Sequence, residues 1–117
     1  MKYMLLIYHE EKRWNQLSEA ERQEFYVEYR KLRGELQSSG QFLDGSQLQA
    51  STFATSVRVR DGKALVTDGP FAETHEQLGG YFLIQAATPE EAISIAKRIP
   101  SARMGTIEVR PLSEGPA

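Results

Sequence analysis

Cysteine is absent from the 117 residues, and with it disulfides, thiolate nucleophiles, iron–sulfur clusters and zinc–thiolate sites. A charge excess of either sign is missing as well. With 14 basic and 16 acidic residues the net charge is −2, so nothing in the composition marks out a nucleic-acid or anionic-membrane partner. The N-terminal apolar run, Tyr3 to Tyr8 in "MKYMLLIYHEE", is too short for a signal-peptide core or a membrane span, and a cytoplasmic setting is expected. Glycine patterns for phosphate or dinucleotide binding and the G-x-S-x-G elbow are absent too. Serines such as Ser46 and Ser56 have no histidine beside them in sequence, so nucleophilic catalysis has no sequence support. Only two histidines occur, His9 and His75. With Asp68, Glu73 and Glu76 they match no spaced ligand motif, and neither a metal nor a cofactor is expected.

What is present is the profile of one globular domain, 40% hydrophobic and 26% charged. It is read as a single domain over residues 1–112 with a loose tail over 113–117. A chain of this length buries only about two-thirds of its unfolded surface by itself, which favours association with a second copy.

Tyr3 to Tyr8 reads as a strand apolar on both faces: Tyr3, Leu5 and Ile7 point one way, Met4, Leu6 and Tyr8 the other. A long amphipathic helix follows. Ser18 and Glu21 form a capping box, Phe25, Tyr29, Leu32 and Leu36 make its apolar stripe, and Gly40 stops it. "QFLDGSQLQ" reads as a short extended segment with a turn at Asp44-Gly45, and "FATSVRVRDGKALVTDG" as a hairpin turning at Asp61-Gly62. Val57 and Val59 share one side of its first strand, Arg58 and Arg60 the other, as in a half-exposed strand. "GGYFLIQA" is a further strand with both faces apolar. "TPEEAISIAKRIP" is a second helix, with Thr88 as cap, Pro89 at its first position and Glu91 closing the box. "GTIEVRP" closes the fold as a strand. This order predicts an α+β domain, the ferredoxin-like split βαβ with an antiparallel sheet and an extra hairpin. Its helices would cover one sheet face only. The doubly apolar strands therefore predict a homodimer in which two sheets pack against each other.

The stretch "LVTDGPFAETHEQLGGYFLI" holds the sharpest local question. Asp68-Gly69-Pro70 is turn chemistry, yet Asp68 to Leu78 exceeds what a hairpin needs and concentrates Asp68, Glu73, His75 and Glu76. If chemistry occurs here, Asp68 is the candidate general base, with His75 or Glu73 as acid, histidine being the side chain that shuttles protons near neutrality. The candidate ligand-binding set is Asp68, Gly69, Pro70, Phe71, Glu73 and Glu76. A blander reading makes the loop a dimer organiser anchored by Phe71 and Leu78. Trp14 either lines a pocket mouth or dimer contact or packs over the first helix. Arg58, Arg60 and Arg110 would hold an anion if their strands were neighbours.

The same residues carry a family likeness. From "MKYMLLIYHE" through "VRVRDGKALVTDGPFAETHEQLGGYFLI" to "EEAISIAKRIPSARMGTIEVRPL" the chain resembles the DGPFAETKE family, a branch of the YCII-related domain proteins. The resemblance implies a dimeric α/β-barrel of ferredoxin-like type. It maps the family motif onto Asp68, Gly69, Pro70, Phe71, Ala72, Glu73, Thr74 and Glu76, with His75 where lysine is usual. In the better-known YCII branch a His–Asp pair, its histidine on the first helix, is the suggested dyad. The first helix here, "SEAERQEFYVEYRKLRGELQSS", has no histidine, so only Asp68 remains as counterpart of the acid. The resemblance further implies a link to extracytoplasmic-function sigma factors and no established reaction. Two functions stay open: a homodimeric module binding an unknown small molecule beside the Asp68–Leu78 loop, in a regulatory setting, and an acid–base enzyme of isomerase, lyase or hydrolase type with Asp68 in a cleft.

Overall fold

Strand β1 (Lys2–His9) runs through the middle of a four-stranded antiparallel sheet ordered β2-β5-β1-β6, where β2 is Phe42–Gln47, β5 is Gln77–Gln85 and β6 is Gly105–Pro111. The structure, a computed structural model, describes residues 1–115; the last two positions of the expected C-terminal tail lie outside the described residues. Helices α1 (Glu11–Gln16), α2 (Glu19–Ser38) and α3 (Pro89–Arg98) complete the framework, and β3 (Thr55–Arg60) and β4 (Lys63–Asp68) form a separate two-stranded hairpin. Without α1 and the hairpin, the order is β-α-β-β-α-β, the ferredoxin-like α+β fold.

Alternation along the central strands decides which face is core. Tyr3, Leu5 and Ile7 of β1, with Phe82 and Ile84 of β5, are buried together with Leu32 and Leu36 of α2 and Ala92, Ile95 and Ala96 of α3. Each large apolar side chain buried here contributes about 1.5–3 kcal/mol relative to exposure. The opposite register, Met4, Leu6, Tyr8, Tyr81 and Leu83, is only half-buried and lies on the sheet face away from that core.

Local chemistry sets most boundaries. Ser18 Oγ accepts from the Glu21 N–H at 3.1 Å, and the Glu21 carboxylate accepts from the Ser18 N–H at 3.0 Å, the expected capping box. Gly40, with φ 75°, follows the end of α2. At α3, Thr88 Oγ1 accepts from Glu91 N–H, but the Glu91 carboxylate bonds to the Ala87 N–H and the Gln41 side chain instead of closing the box on Thr88. Asp61 and Gly62, with φ 53° and 75°, make the expected hairpin turn.

Two expectations change. Asp44-Gly45 is no turn: both residues lie inside β2, beside an irregular register step between Phe42 and Asp44. A Cβ on Gly45 would sit 2.9 Å from Phe82 Cδ1 and 3.0 Å from the Phe42 ring, so this glycine serves ring packing. And β5 begins at Gln77, which shortens the connection after β4 to Gly69–Glu76.

The hairpin stands apart from the core. Directly paired residues share a face, so Val57 and Val66, with Val59 and Ala64, form one apolar side, while Arg58, Leu65, Arg60 and Lys63 form the other. All eight are exposed, where the alternation had suggested a half-exposed strand. The hairpin root is fixed by Gly69 N–H donating to Ala54 O at 2.7 Å and Ser56 Oγ–H donating to Gly69 O at 2.8 Å.

Candidate functional site

The inward stripe of β1 does not stop at Ile7. His9 is its next member, at the point where β1 and β5 change register and Gly79 is left as the extra residue between Leu78 and Gly80. The imidazole packs on the backbone of Gly79, where a Cβ would lie 2.4 Å from His9 Cε1 and 2.8 Å from Nδ1. That contact seals Nδ1, which is buried with no hydrogen-bond partner. Burial pushes the His9 pKa below its usual value; the charges of Glu11 and Glu76 act weakly in the other direction.

Over this histidine lies Trp14 of α1, its ring centroid 5.9 Å from that of His9. The indole also meets α2 edge-on, at 5.6 Å from Phe25 and 5.8 Å from Tyr26. Trp14 thus packs over the long helix and lines a cavity at once. Its short helix is held from several sides: Glu11 N–H donates to Gln77 Oε1 at 2.9 Å, and the Glu11 carboxylate accepts from Ser51 N–H and Oγ–H at 2.7 and 2.8 Å.

Between these groups opens a cleft of about 230 Å³. Ile7, His9, Gly79, Gly80 and Phe82 come from the sheet, Trp14 from α1, Tyr26, Tyr29, Arg30 and Arg33 from one side of α2, Ser46 and Gln47 from β2, and Ser101 from the turn after α3. Tyr29 Oη donates to Ser101 Oγ at 2.7 Å; its phenol pKa is raised, chiefly by burial. Arg33 lies over the Phe42 ring at 5.1 Å and reaches Gly45 O at 3.5 Å. Aromatic and aliphatic surface combined with convergent polar groups is the usual makeup of a small-molecule site.

The residues singled out in the sequence lie elsewhere. Asp68, Gly69, Pro70, Phe71 and Glu73 share, with Tyr8 and Leu78, the wall of a wide, open basin of about 990 Å³. Asp68, Phe71 and Glu73 are exposed, Phe71 at 79%. His75 Nε2 lies 3.0 Å from Glu10 Oε1, so its contact is with the residue between β1 and α1. Glu76 accepts from Thr106 Oγ–H at 2.8 Å. The three arginines proposed as an anion clamp do not converge, because Arg58 and Arg60 are in the hairpin and Arg110 in β6, a strand of the other sheet. Arg110 instead lies 3.4 Å from Glu108. Among the described residues no group of three or more His, Asp or Glu side chains could hold a metal ion, and no helix is long and apolar enough to cross a membrane.

His9, Tyr26, Arg30, Arg33 and Gly79 were not assigned to a site from the sequence. Two signals for them exist there: His9 continues the period-two stripe of Tyr3, Leu5 and Ile7, and Arg30 and Arg33 each lie four residues after a tyrosine on α2.

Comparison with known proteins shows the family. An uncharacterised protein of Rhizobium meliloti (strain 1021) is 33% identical over 115 residues, covering 97% of this chain and 93% of the relative. The model of the YCII-related domain matches residues 1–115. The chain therefore belongs to the YCII-related domain family.

Proposed function

We propose that the protein is a homodimeric small-molecule-binding module whose binding cleft lies between the end of β1 and α2, walled by His9, Trp14, Tyr26, Arg30 and Arg33. The observation that carries this reading is the concentration of aromatic surface and convergent polar groups in one cleft, with a half-buried histidine at its base. In this reading the loop after β4 and the first residue of β5 organise the site. His75, through Glu10, and Gln77, through Glu11, hold the start of α1 and so the position of Trp14. The second copy is supported by the apolar side of the hairpin and the half-buried outer sheet face. Membership of the DGPF-type branch, a cytoplasmic setting and a link to an extracytoplasmic-function sigma factor belong to the same proposal, on the strength of the motif from Asp68 to Glu76.

Trp14 is the only tryptophan in the chain, which makes its emission a reporter of the cleft. A screen of small molecules should yield saturable changes in that emission. A ligand that binds by calorimetry, leaves Trp14 emission unchanged and is lost in the Asp68→Ala, Glu73→Ala double variant would move the site to the loop.

A second reading, acid–base catalysis, draws on one observation: burial holds His9 neutral near pH 7, able to accept a proton. Asp68 as base with His75 or Glu73 as acid is the form of it expected from the sequence. Unchanged turnover in Asp68→Asn would remove that residue from the mechanism.

A further inference from the structure

We propose that the ligand class of this cleft is a small aromatic carboxylate, its ring against Trp14 and Tyr26 and its acid group on Arg30 and Arg33. This deepens the binding reading above and rests on it. The first argument is charge. The chain carries more acids than bases, yet two arginines and no aspartate or glutamate line the cleft.

The second is that neither arginine has an acidic partner, although three others in the chain do. Arg98 pairs with Glu35, Arg103 with Glu28 at 2.6 Å and Arg110 with Glu108 at 3.4 Å. Arg30 and Arg33 make no ion pair among the described residues. Helical spacing explains why: the positions three and four residues from Arg30 are Val27, Tyr26, Arg33 and Gly34, and those around Arg33 are Arg30, Tyr29, Leu36 and Gln37. No acid stands next to either. They are instead each other's neighbours, an unfavourable like-charge pair on a helix unless an anion lies between them. The stacking of Arg33 on Phe42 and its bond to Gly45 O fix its direction and use few of its five donors. A fixed guanidinium with donors to spare suits the planar, two-oxygen geometry of a carboxylate.

The third argument is the wall. Trp14 and Tyr26 offer flat apolar surface beside the arginines, and a cleft of about 230 Å³ suits a single-ring acid better than a large cofactor. Glu11 and Glu76 act on His9 by charge but do not line the cleft.

The test uses the full chain and acid–amide pairs of equal shape: benzoate with benzamide, and 4-hydroxybenzoate with 4-hydroxybenzamide, followed by Trp14 emission and calorimetry. The expected result is that each acid binds at least tenfold tighter than its amide, with an advantage that shrinks as salt is raised. The Arg30→Gln, Arg33→Gln double variant should lose that advantage while binding the amides unchanged. Acids and amides that bind equally, or an acid preference that survives in the double variant, would overturn the ligand class and leave the cleft standing. No binding of any of the four compounds would overturn the ligand class, whereas the cleft itself falls only if the wider screen leaves Trp14 emission unchanged. The wild-type comparison decides the class even if the variant fails to fold.

Discussion

Gly79 and His9 compete for one space, and the fold settles it by leaving residue 79 without a side chain. Any Cβ there would lie 2.4 Å from the imidazole, so Gly79→Ala must move the ring or the strand. Overpacking of this kind costs about 1–3 kcal/mol; chemical denaturation should show a loss of that size, together with weaker ligand binding in the cleft. An alanine variant of unchanged stability would mean that the ring yields freely. The same burial makes His9 a pH-dependent element. Its folded pKa is lowered, mainly by desolvation, while the unfolded chain keeps a value of about 6.5. Between the two values the unfolded state binds more protons, so stability rises with pH across that window. The penalty therefore sets in as pH falls through about 6.5 and is complete below the lowered folded value. NMR titration should place His9 below 6.5, and His9→Gln should flatten the stability profile over that range; a His9 titrating at or above 6.5 would contradict the burial argument.

At the scale of elements, the β3–β4 hairpin is the part that a single chain leaves unaccounted for. A two-stranded ribbon is marginal in water, and this one exposes Val57 at 63% and Val66 at 66%, paired on its apolar side. Cover from a second copy would explain both. Val57→Ser with Val66→Ser touches nothing buried in one chain, so secondary structure should be retained while the dimer dissociation constant in sedimentation equilibrium rises at least tenfold. Unchanged association would assign the hairpin another role. Elements were the most legible feature of the sequence, because their signals are local: the Ser18 box, the Thr88 cap, the Asp61-Gly62 turn and the alternation of β1 each depend on residues a few positions apart. Asp44-Gly45 misled for the opposite reason. The same dipeptide serves as a turn or as clearance for a ring, and the ring in question, Phe82, is supplied by another strand.

At the scale of the molecule, the radius of gyration is 16.1 Å and the extents are 47 × 43 × 19 Å, against about 13 Å for a compact chain of this length. The body is flat, and the β3–β4 hairpin forms a sheet of its own beside it. The candidate site was less legible than the fold. Its walls come from β1, α1, α2, β2, β5 and the turn after α3, and no short-range pattern reports that convergence. The acidic loop after β4 drew attention because its polar residues are adjacent in sequence, yet the structure shows its His75 and Glu76 bonded to Glu10 and Thr106. The most direct test of the cleft is an amide-resolved NMR titration of the whole chain with benzoate. Shifts should centre on His9, Trp14, Tyr26, Arg30, Arg33 and Gly79. Shifts confined to Gly69–Glu76, or none anywhere, would contradict binding there.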